Sequence, residues 1–416
     1  MSELGPKAKA AAAVVGGLAS LARQAVLCEL ARLLVARGAE VLAANALDLA
    51  AAEATGTSGP KMKRLALTAE GVRQLAAGVL AVAAQPEVVG EVVRGWTAPS
   101  GLEVRKVRTP LGVVCMIYEA RPGVTVDAFA LCFKAGNACI LKGGREAAHS
   151  NAALMGLIGD ALALGGVPAD AAQLVTTSDR EAMKVLLADR ANIDLVIPRG
   201  GKELIEFVTA HSKVPTLQHF QGVCHVFVHS AADLDMAERI CVTGKTSAPA
   251  TCNATECVLV DAAIAERFVP RLVGAFAAAG VQVRGDAEVA ALTRKAGGPH
   301  VTAAAEADFG YEFLDMVVAM KVVAGLDGAV AHIRRHTSDH TEVIVTDDAA
   351  AAERFILGVR SSCVLVNAST RNNDGGALGL GAEIGISTTR LHAYGPMGAE
   401  QLTVERFVVR GTGQCR

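Results

Sequence analysis

The sequence predicts an α/β protein built on a doubly wound, parallel sheet, and three observations carry that prediction. Short apolar runs of strand length recur at 111–118, 138–142, 173–175 and 193–197. Stretches of helical periodicity fall between them, at 125–135, 146–164 and 179–189. Continuous apolar runs that alternate with helices imply parallel strands covered on both faces. A second α/β region then runs from about Leu234 through Cys252 to about Asn367.

The remaining elements follow in chain order. From Ala8 to Ala54 apolar residues recur at intervals of three and four, with Arg23, Glu29, Arg32 and Arg37 between them, a helical pattern. Gly38 is placed to end one helix before 40–53 starts another. A loop is expected at 56–60, a helix at 67–84, and a projecting hairpin at 92–107, where Trp96 precedes the alternating residues 102–107. Strand ends in the first region carry Glu119-Ala120-Arg121-Pro122, Lys142-Gly143-Gly144-Arg145-Glu146 and Pro198-Arg199-Gly200-Gly201-Lys202. Ligands of doubly wound sheets bind at such ends. A glycine-rich segment, 374–381, lies near the C-terminus.

Composition excludes several classes of function. At 416 residues and 51% hydrophobic the chain suffices for two or three domains with real cores. A net charge of -2 with scattered basic residues gives no electrostatic footprint for nucleic acid or an acidic membrane. No signal peptide or long uncharged apolar span is evident. Ten cysteines without a CxxC pair fit reduced thiols in a cytoplasm better than a disulfide framework or zinc ribbon.

Cys252 stands apart from the other cysteines. Most cysteines are small buried hydrophobes, but this one sits in Thr246-Ser247-Ala248-Pro249-Ala250-Thr251-Cys252-Asn253, a small and polar segment that leads into the apolar run 257–260. That arrangement holds a thiol on rigid structure and leaves it reachable. An unperturbed thiol has a pKa of about 8.5, so a nucleophile needs backbone N–H groups or a cation beside it, and Lys245 is one source.

Lys142-Gly143-Gly144-Arg145 lies between a strand and a helix, where free N–H groups and added positive charge favour a phosphate, although Gly-Gly there is also a common tight turn. Arg199-Gly200-Gly201 repeats the device. No GxGxxG is present, and Gly244-Lys245-Thr246 is not a phosphate loop because Arg239 stands where its first glycine belongs. His332, His336 and His340 fall four apart, a spacing for metal ligands, but Thr337-Ser338-Asp339 reads as a helix end, so surface and capping roles are expected and no metal site. No GxSxG elbow supports a serine hydrolase.

With these residues placed, the chain resembles the γ-glutamyl phosphate reductases (glutamate-5-semialdehyde dehydrogenases) of proline biosynthesis, within the aldehyde dehydrogenase superfamily. The likeness spans almost the whole chain. It rests on Pro110-Leu111-Gly112-Val113-Val114, Tyr118-Glu119-Ala120-Arg121-Pro122, Lys142-Gly143-Gly144, Ile197-Pro198-Arg199-Gly200-Gly201, Gly222-Val223-Cys224-His225, Pro249-Ala250-Thr251-Cys252-Asn253, the stretch 329–344, Asn367-Ala368-Ser369-Thr370-Arg371, Gly379-Leu380-Gly381-Ala382-Glu383 and Gly395-Pro396-Met397-Gly398.

The resemblance implies an aldehyde-dehydrogenase-like fold and NADPH-dependent reduction of glutamyl 5-phosphate through a thioester on Cys252. Backbone N–H groups around Cys252 and Asn253 would steady the oxyanion. It implies cofactor contacts from Lys142, Gly143, Gly144, Arg145, Arg199, Gly200, Gly201 and Glu383, with Lys142 and Glu383 on the riboses and Arg145 suited to a 2′-phosphate. Arg121, Asn367 and Arg371 are the candidates for the substrate's charged ends. The stretch 217–222 holds no glutamate to activate water, which suits an acyl group destined for hydride or phosphate. The implied domains are a cofactor domain (1–95 and 110–233), a catalytic domain (234–370), an oligomerisation element (96–109 and 395–416) and a segment, 371–394, returning along the cofactor domain. A cytoplasmic homo-oligomer, dimer or tetramer, with glutamate 5-kinase as a partner, is expected.

Tyr394, Ala248 and Asn372 depart from the family pattern, which has arginine, a basic residue and commonly an aromatic there. Two other readings are a paralogue acting on another acyl phosphate or aldehyde, and a non-catalytic partner of a kinase. The intact Cys252 argues against the second, since an exposed thiol is an oxidation liability without chemistry to perform.

Overall fold

The computed structural model describes residues 2–57, 59–177, 179–218, 221–380 and 382–415, and the chain divides into two units. The first comprises residues 1–218, 379–385 and 391–416. Its N-terminal helices are α1 (Leu4–Gly17), α2 (Ser20–Ala36), α3 (Gly38–Ala54), α4 (Pro60–Leu65) and α5 (Ala69–Ala84). Gly38 opens α3 instead of ending α2, because the break falls at Arg37 (φ -116°, ψ 19°). A hairpin, β1 (Val92–Thr97) and β2 (Glu103–Pro110), precedes β3 (Val113–Tyr118), α6 (Val124–Lys134), β4 (Ala138–Lys142), α7 (Ala148–Leu164), β5 (Ala172–Leu174), α8 (Arg180–Ala188), β6 (Leu195–Arg199) and α9 (Lys202–His211).

Strands β3 to β6 pair in parallel in the order β5-β4-β3-β6. Every residue of β3 is buried, and alternate residues serve two different cores. Val113, Cys115 and Ile117 pack with residues of α1, α8 and α9, while Val114, Met116 and Tyr118 pack with α2, α5, α6 and α7. That is the doubly wound arrangement the apolar runs predict, since a strand covered on both faces has no polar side to alternate.

The hairpin is completed by β14 (Thr403–Arg410), which pairs antiparallel with β2. Trp96 meets Phe407 edge to face at 6.2 Å between centroids, and Val92, Phe407 and Val409 are all exposed.

The second unit comprises residues 219–378 and 386–390. It contains β7 (Cys224–Val228), α10 (Leu234–Thr246), β8 (Thr255–Asp261), α11 (Ala262–Ala278), β9 (Gln282–Gly285), α12 (Ala287–Lys295), β10 (Thr302–Ala303), β11 (Val317–Val323), α13 (Gly325–His336), β12 (Thr341–Val345), α14 (Ala349–Gly358) and β13 (Cys363–Val366). These strands form one parallel sheet in the order β10-β9-β11-β8-β7-β12-β13. Asp233, Asp261, Asp286 and Asp348 each accept backbone N–H bonds at the start of the next helix, a cap worth about 1 kcal/mol apiece. The sequence-based boundary at 233/234 leaves β7 with the first unit, whereas β7 pairs with β8 and β12 and the division falls at 218/219. The returning segment is also shared, with 386–390 grouped in the second unit.

All ten cysteines are free. Among the described residues no single helix is long and apolar enough to cross a membrane.

Candidate active site

The nucleophile segment is the loop between α10 and β8, and Cys252 is half-buried on it. Its backbone is gripped from several sides. Gly222 lies so close that a Cβ there would stand 1.9 Å from the Cys252 carbonyl oxygen, so only glycine fits. The Cys224 thiol donates to the same carbonyl oxygen at 3.2 Å. Asn253 is buried, and its amide donates to Asn373 O at 3.0 Å while its carbonyl oxygen accepts from the Thr251 hydroxyl at 2.9 Å. Arg371 donates through Nη1 to Thr251 Oγ1 at 2.8 Å and to Asn253 Oδ1. Arg371 is thus committed to the loop itself. Asn367, with a left-handed φ of 56°, clamps Thr346 by accepting from its N–H at 2.8 Å and donating to its carbonyl at 2.9 Å.

Lys245 does not supply a free cation. It is fully buried and paired with Glu256 at 2.7 Å, so its charge is spent in the core. Burial pushes the Glu256 carboxyl up to about 7 against the pull of Lys245. A β-bulge explains Glu256: Cys224 faces Thr255 and His225 faces Cys257, leaving Glu256 as the extra residue of β8. Glu312, passed over in the sequence, takes a hydrogen bond from the Gly222 N–H, and burial raises its pKa. In the stretch 217–222, His219 and Phe220 lie outside the described residues.

The histidines of 332–340 are not surface residues. His332 and His340 are buried, and α13 ends at His336 as the sequence indicates. Across the sheet Glu342, His225 and Cys257 stand in register on β12, β7 and β8, with His332 close by, and His225, Cys257 and His332 bring their ligand-type atoms within 4.8 Å of one another. Burial alone would lower the His225 pKa, but Glu342, 2.9 Å away, overrides it and raises it to about 10. Burial and the neighbouring His225 push His332 the other way, down to about 2.

In the first unit the strand-end loops converge. Lys142 ends β4 half-buried and donates to Gly143 O at 2.8 Å, and burial lowers its pKa. A Cβ on Gly143 would stand 2.1 Å from the buried Asn151 amide. Arg145 is exposed just before α7. Gly200 and Gly201 are exposed before α9, where the Gly201 N–H donates to Glu119 at 2.9 Å, and Ala120 N–H donates to Glu146 at 2.6 Å. Carboxylates thus occupy N–H groups of the kind that bind phosphate. Arg121, Arg199 and Glu383 line a cavity of about 240 Å³ together with Asp127 and Arg64. Burial pushes Asp127 up to about 6 in spite of Arg199. In the sequence Asp127 is only the end of the family-like stretch Val124-Thr125-Val126-Asp127, with no role assigned, and Arg64 carries no local signal. Gly381 lies outside the described residues.

The second unit carries a thiol on a tied loop before β8, and the first unit is a parallel α/β unit with glycine turns at its strand ends. The aldehyde dehydrogenase family model matches residues 6–308. The chain belongs to the aldehyde dehydrogenase family. Within it, the chain is 52% identical over 406 residues to a γ-glutamyl phosphate reductase of Xanthomonas campestris pv. campestris, covering 98% of this chain and 97% of that one. A γ-glutamyl phosphate reductase of Desulfatibacillum aliphaticivorans is 48% identical, covering 100% and 98%. The crystal structure of the Thermotoga maritima γ-glutamyl phosphate reductase superposes with a TM-score of 0.95 at 37% identity, covering 100% of this chain and 99% of that one. The aldehyde dehydrogenase family uses NAD(P) cofactors, and this chain's substrate is a small molecule.

Proposed function

We propose that the chain reduces L-glutamyl 5-phosphate to L-glutamate 5-semialdehyde, the second step of proline biosynthesis from glutamate, with Cys252 as nucleophile. The observation that carries this reading is Cys252 itself, half-buried on a loop tied down at Gly222, Cys224, Asn253 and Arg371. The relatives named γ-glutamyl phosphate reductase, at about half identity over the full length, support the substrate assignment.

The Cys252 thiolate attacks the acyl carbon, the bond from carbon to the phosphate oxygen breaks, and phosphate leaves with the electron pair. A thiolate suits both halves of the reaction, since it attacks well and leaves well. NADPH, when bound, supplies the hydride that converts the thioester to the aldehyde and frees the thiolate. Backbone N–H groups at Cys252 and Asn253 are placed on a locked loop, which suits them to hold the oxyanion without reorganising. The turns at Gly143-Gly144 and Gly200-Gly201 are assigned to a nucleotide phosphate, since both lie at strand ends ahead of helices; the glycines themselves answer to the close approach of Asn151 and Glu119. Arg145, exposed, is suited to a 2′-phosphate and favours NADPH over NADH. Lys142 and Glu383 are assigned to the riboses, and Arg121, Asn367 and Arg371 to the substrate's charged ends, with Arg371 reaching substrate only if it also holds Asn253.

The exposed apolar side chains of Trp96, Phe407 and Val409 support a homo-oligomer through the three-stranded sheet. The ten free thiols fit a cytoplasmic setting. Cys252→Ser tests the nucleophile: semialdehyde oxidation falls to background while NADP binding and the melting temperature stay near wild type. Retained turnover would move the chemistry to another residue.

A further inference from the structure

The Cys252 carbonyl oxygen is held by a thiol, and that thiol is the end of a buried chain of polar groups. Cys224 is fully buried at the start of β7, and its Sγ lies 3.2 Å from Cys252 O. Burial holds the Cys224 thiol well above its ordinary pKa, so its proton stays in place for donation. A thiol has one proton to give. The sulfur lone pairs face His340 Nδ1 at 3.5 Å and the Thr341 hydroxyl. Thr341 Oγ1 lies 2.7 Å from His340 Nδ1 and accepts from the Asn373 amide at 2.8 Å. Asn373 O accepts from Asn253, the residue after the nucleophile, at 3.0 Å. The circuit therefore leaves Cys252 through its carbonyl, passes Cys224, His340, Thr341 and Asn373, and returns at Asn253.

All five of those residues are buried. They come from β7, the start of β12 and the residue before it, the segment after β13 and the nucleophile loop, segments more than a hundred residues apart in the case of Cys224 and His340. Buried polar groups linked in this way hold one another in place, and they tie the backbone on both sides of the reactive sulfur. The bulge that places Cys224 opposite Thr255 is what brings the thiol to the loop.

We propose that Cys224 is a positioning residue for the reaction: its S–H, backed by Thr341 and Asn373, locks the Cys252 carbonyl and so aims the Cys252 sulfur. It does not touch substrate and acts through Cys252. The proposal rests on Cys252 as the nucleophile.

Cys224→Ala removes the donor at nearly constant volume, and Cys224→Ser restores one. The readouts are kcat and KM for NADP-linked semialdehyde oxidation, and the pH profile of Cys252 alkylation by iodoacetamide, followed by mass on the Cys252 peptide without substrate. Cys224→Ala is expected to lower kcat about tenfold, as a misaimed nucleophile does, with KM for NADP unchanged and the alkylation profile displaced. Cys224→Ser is expected to return both within about twofold. Thr341→Val, one link back, should move both readouts the same way and by less, and it serves if Cys224→Ala folds poorly. Wild-type kcat and alkylation profile in Cys224→Ala, or failure of Cys224→Ser to restore them, would overturn the proposal. Alkylation needs no substrate, so it tests the circuit separately from the substrate and nucleophile assignments.

Discussion

The turns of the first unit and the nucleophile loop of the second solve opposite problems with the same residue. Of the glycines at 143–144 and 200–201, Gly143 is buried, Gly144 half-buried and the other two exposed, and Gly144 and Gly200 face the exposed side-chain carboxylates of Glu146 and Glu119. At 222 the glycine faces backbone, the Cys252 carbonyl, which also accepts from the Cys224 thiol. On the proposed function the first kind of loop takes a ligand, and its N–H groups are held meanwhile by the Glu146 and Glu119 side chains. A nucleophile loop is kept closed, because a displaced sulfur costs rate.

That contrast is easiest to break with two alanines. Gly222→Ala forces a Cβ to within 1.9 Å of backbone that cannot yield; it is expected to cost about 3 kcal/mol of stability by overpacking and about a hundredfold in turnover. Gly144→Ala places its Cβ against the exposed Glu146 carboxylate, which can swing away, so unfolding and turnover should stay near wild type with only cofactor binding changed. Equal losses in a urea melt and a kcat measurement would erase the distinction.

A smaller effect sharpens the open side. Arg145→Ala should weaken NADPH about tenfold, the value of one charge-assisted contact, and NADH hardly at all, as measured by fluorescence titration. Equal loss for both cofactors would remove Arg145 from the 2′-phosphate.

A pH effect concerns the closed side's core. His225 has its folded pKa raised to about 10, above the unfolded value of about 6.5. Its contribution to stability is therefore full below about 6.5 and is lost as pH rises towards about 10. His225→Gln should flatten that decline in chemical-denaturation curves taken across the window, with Glu342, Cys257 and His332 left in place. A slope identical to wild type would show that the Glu342 pairing does not govern it.

Much of this was legible in the sequence where a period or a residue type carried the signal. The apolar runs at 111–118, 138–142 and 193–197 appear as β3, β4 and β6 because strands buried on both faces must be continuously apolar. Cys252 stood out because polar residues lead into it. The boundary was missed because β7 begins with Cys224 and His225, polar positions whose partners lie on other strands. Lys245 reads as a free cation because its neutralising partner, Glu256, sits just before the apolar run 257–260, and nothing local shows that the bulge there turns it to Lys245. The ties between Asn253 and Asn373, or between Cys224 and His340, span more than a hundred residues and leave no local pattern.

The central claim is that the acyl group on Cys252 passes to phosphate and hydride, never to an activated water. The direct measurement is NADP reduction on glutamate 5-semialdehyde as a function of inorganic phosphate. The account predicts a rate that vanishes without phosphate and returns when arsenate replaces it. Full-rate turnover in phosphate-free buffer would contradict it and would make the chain a hydrolytic aldehyde dehydrogenase.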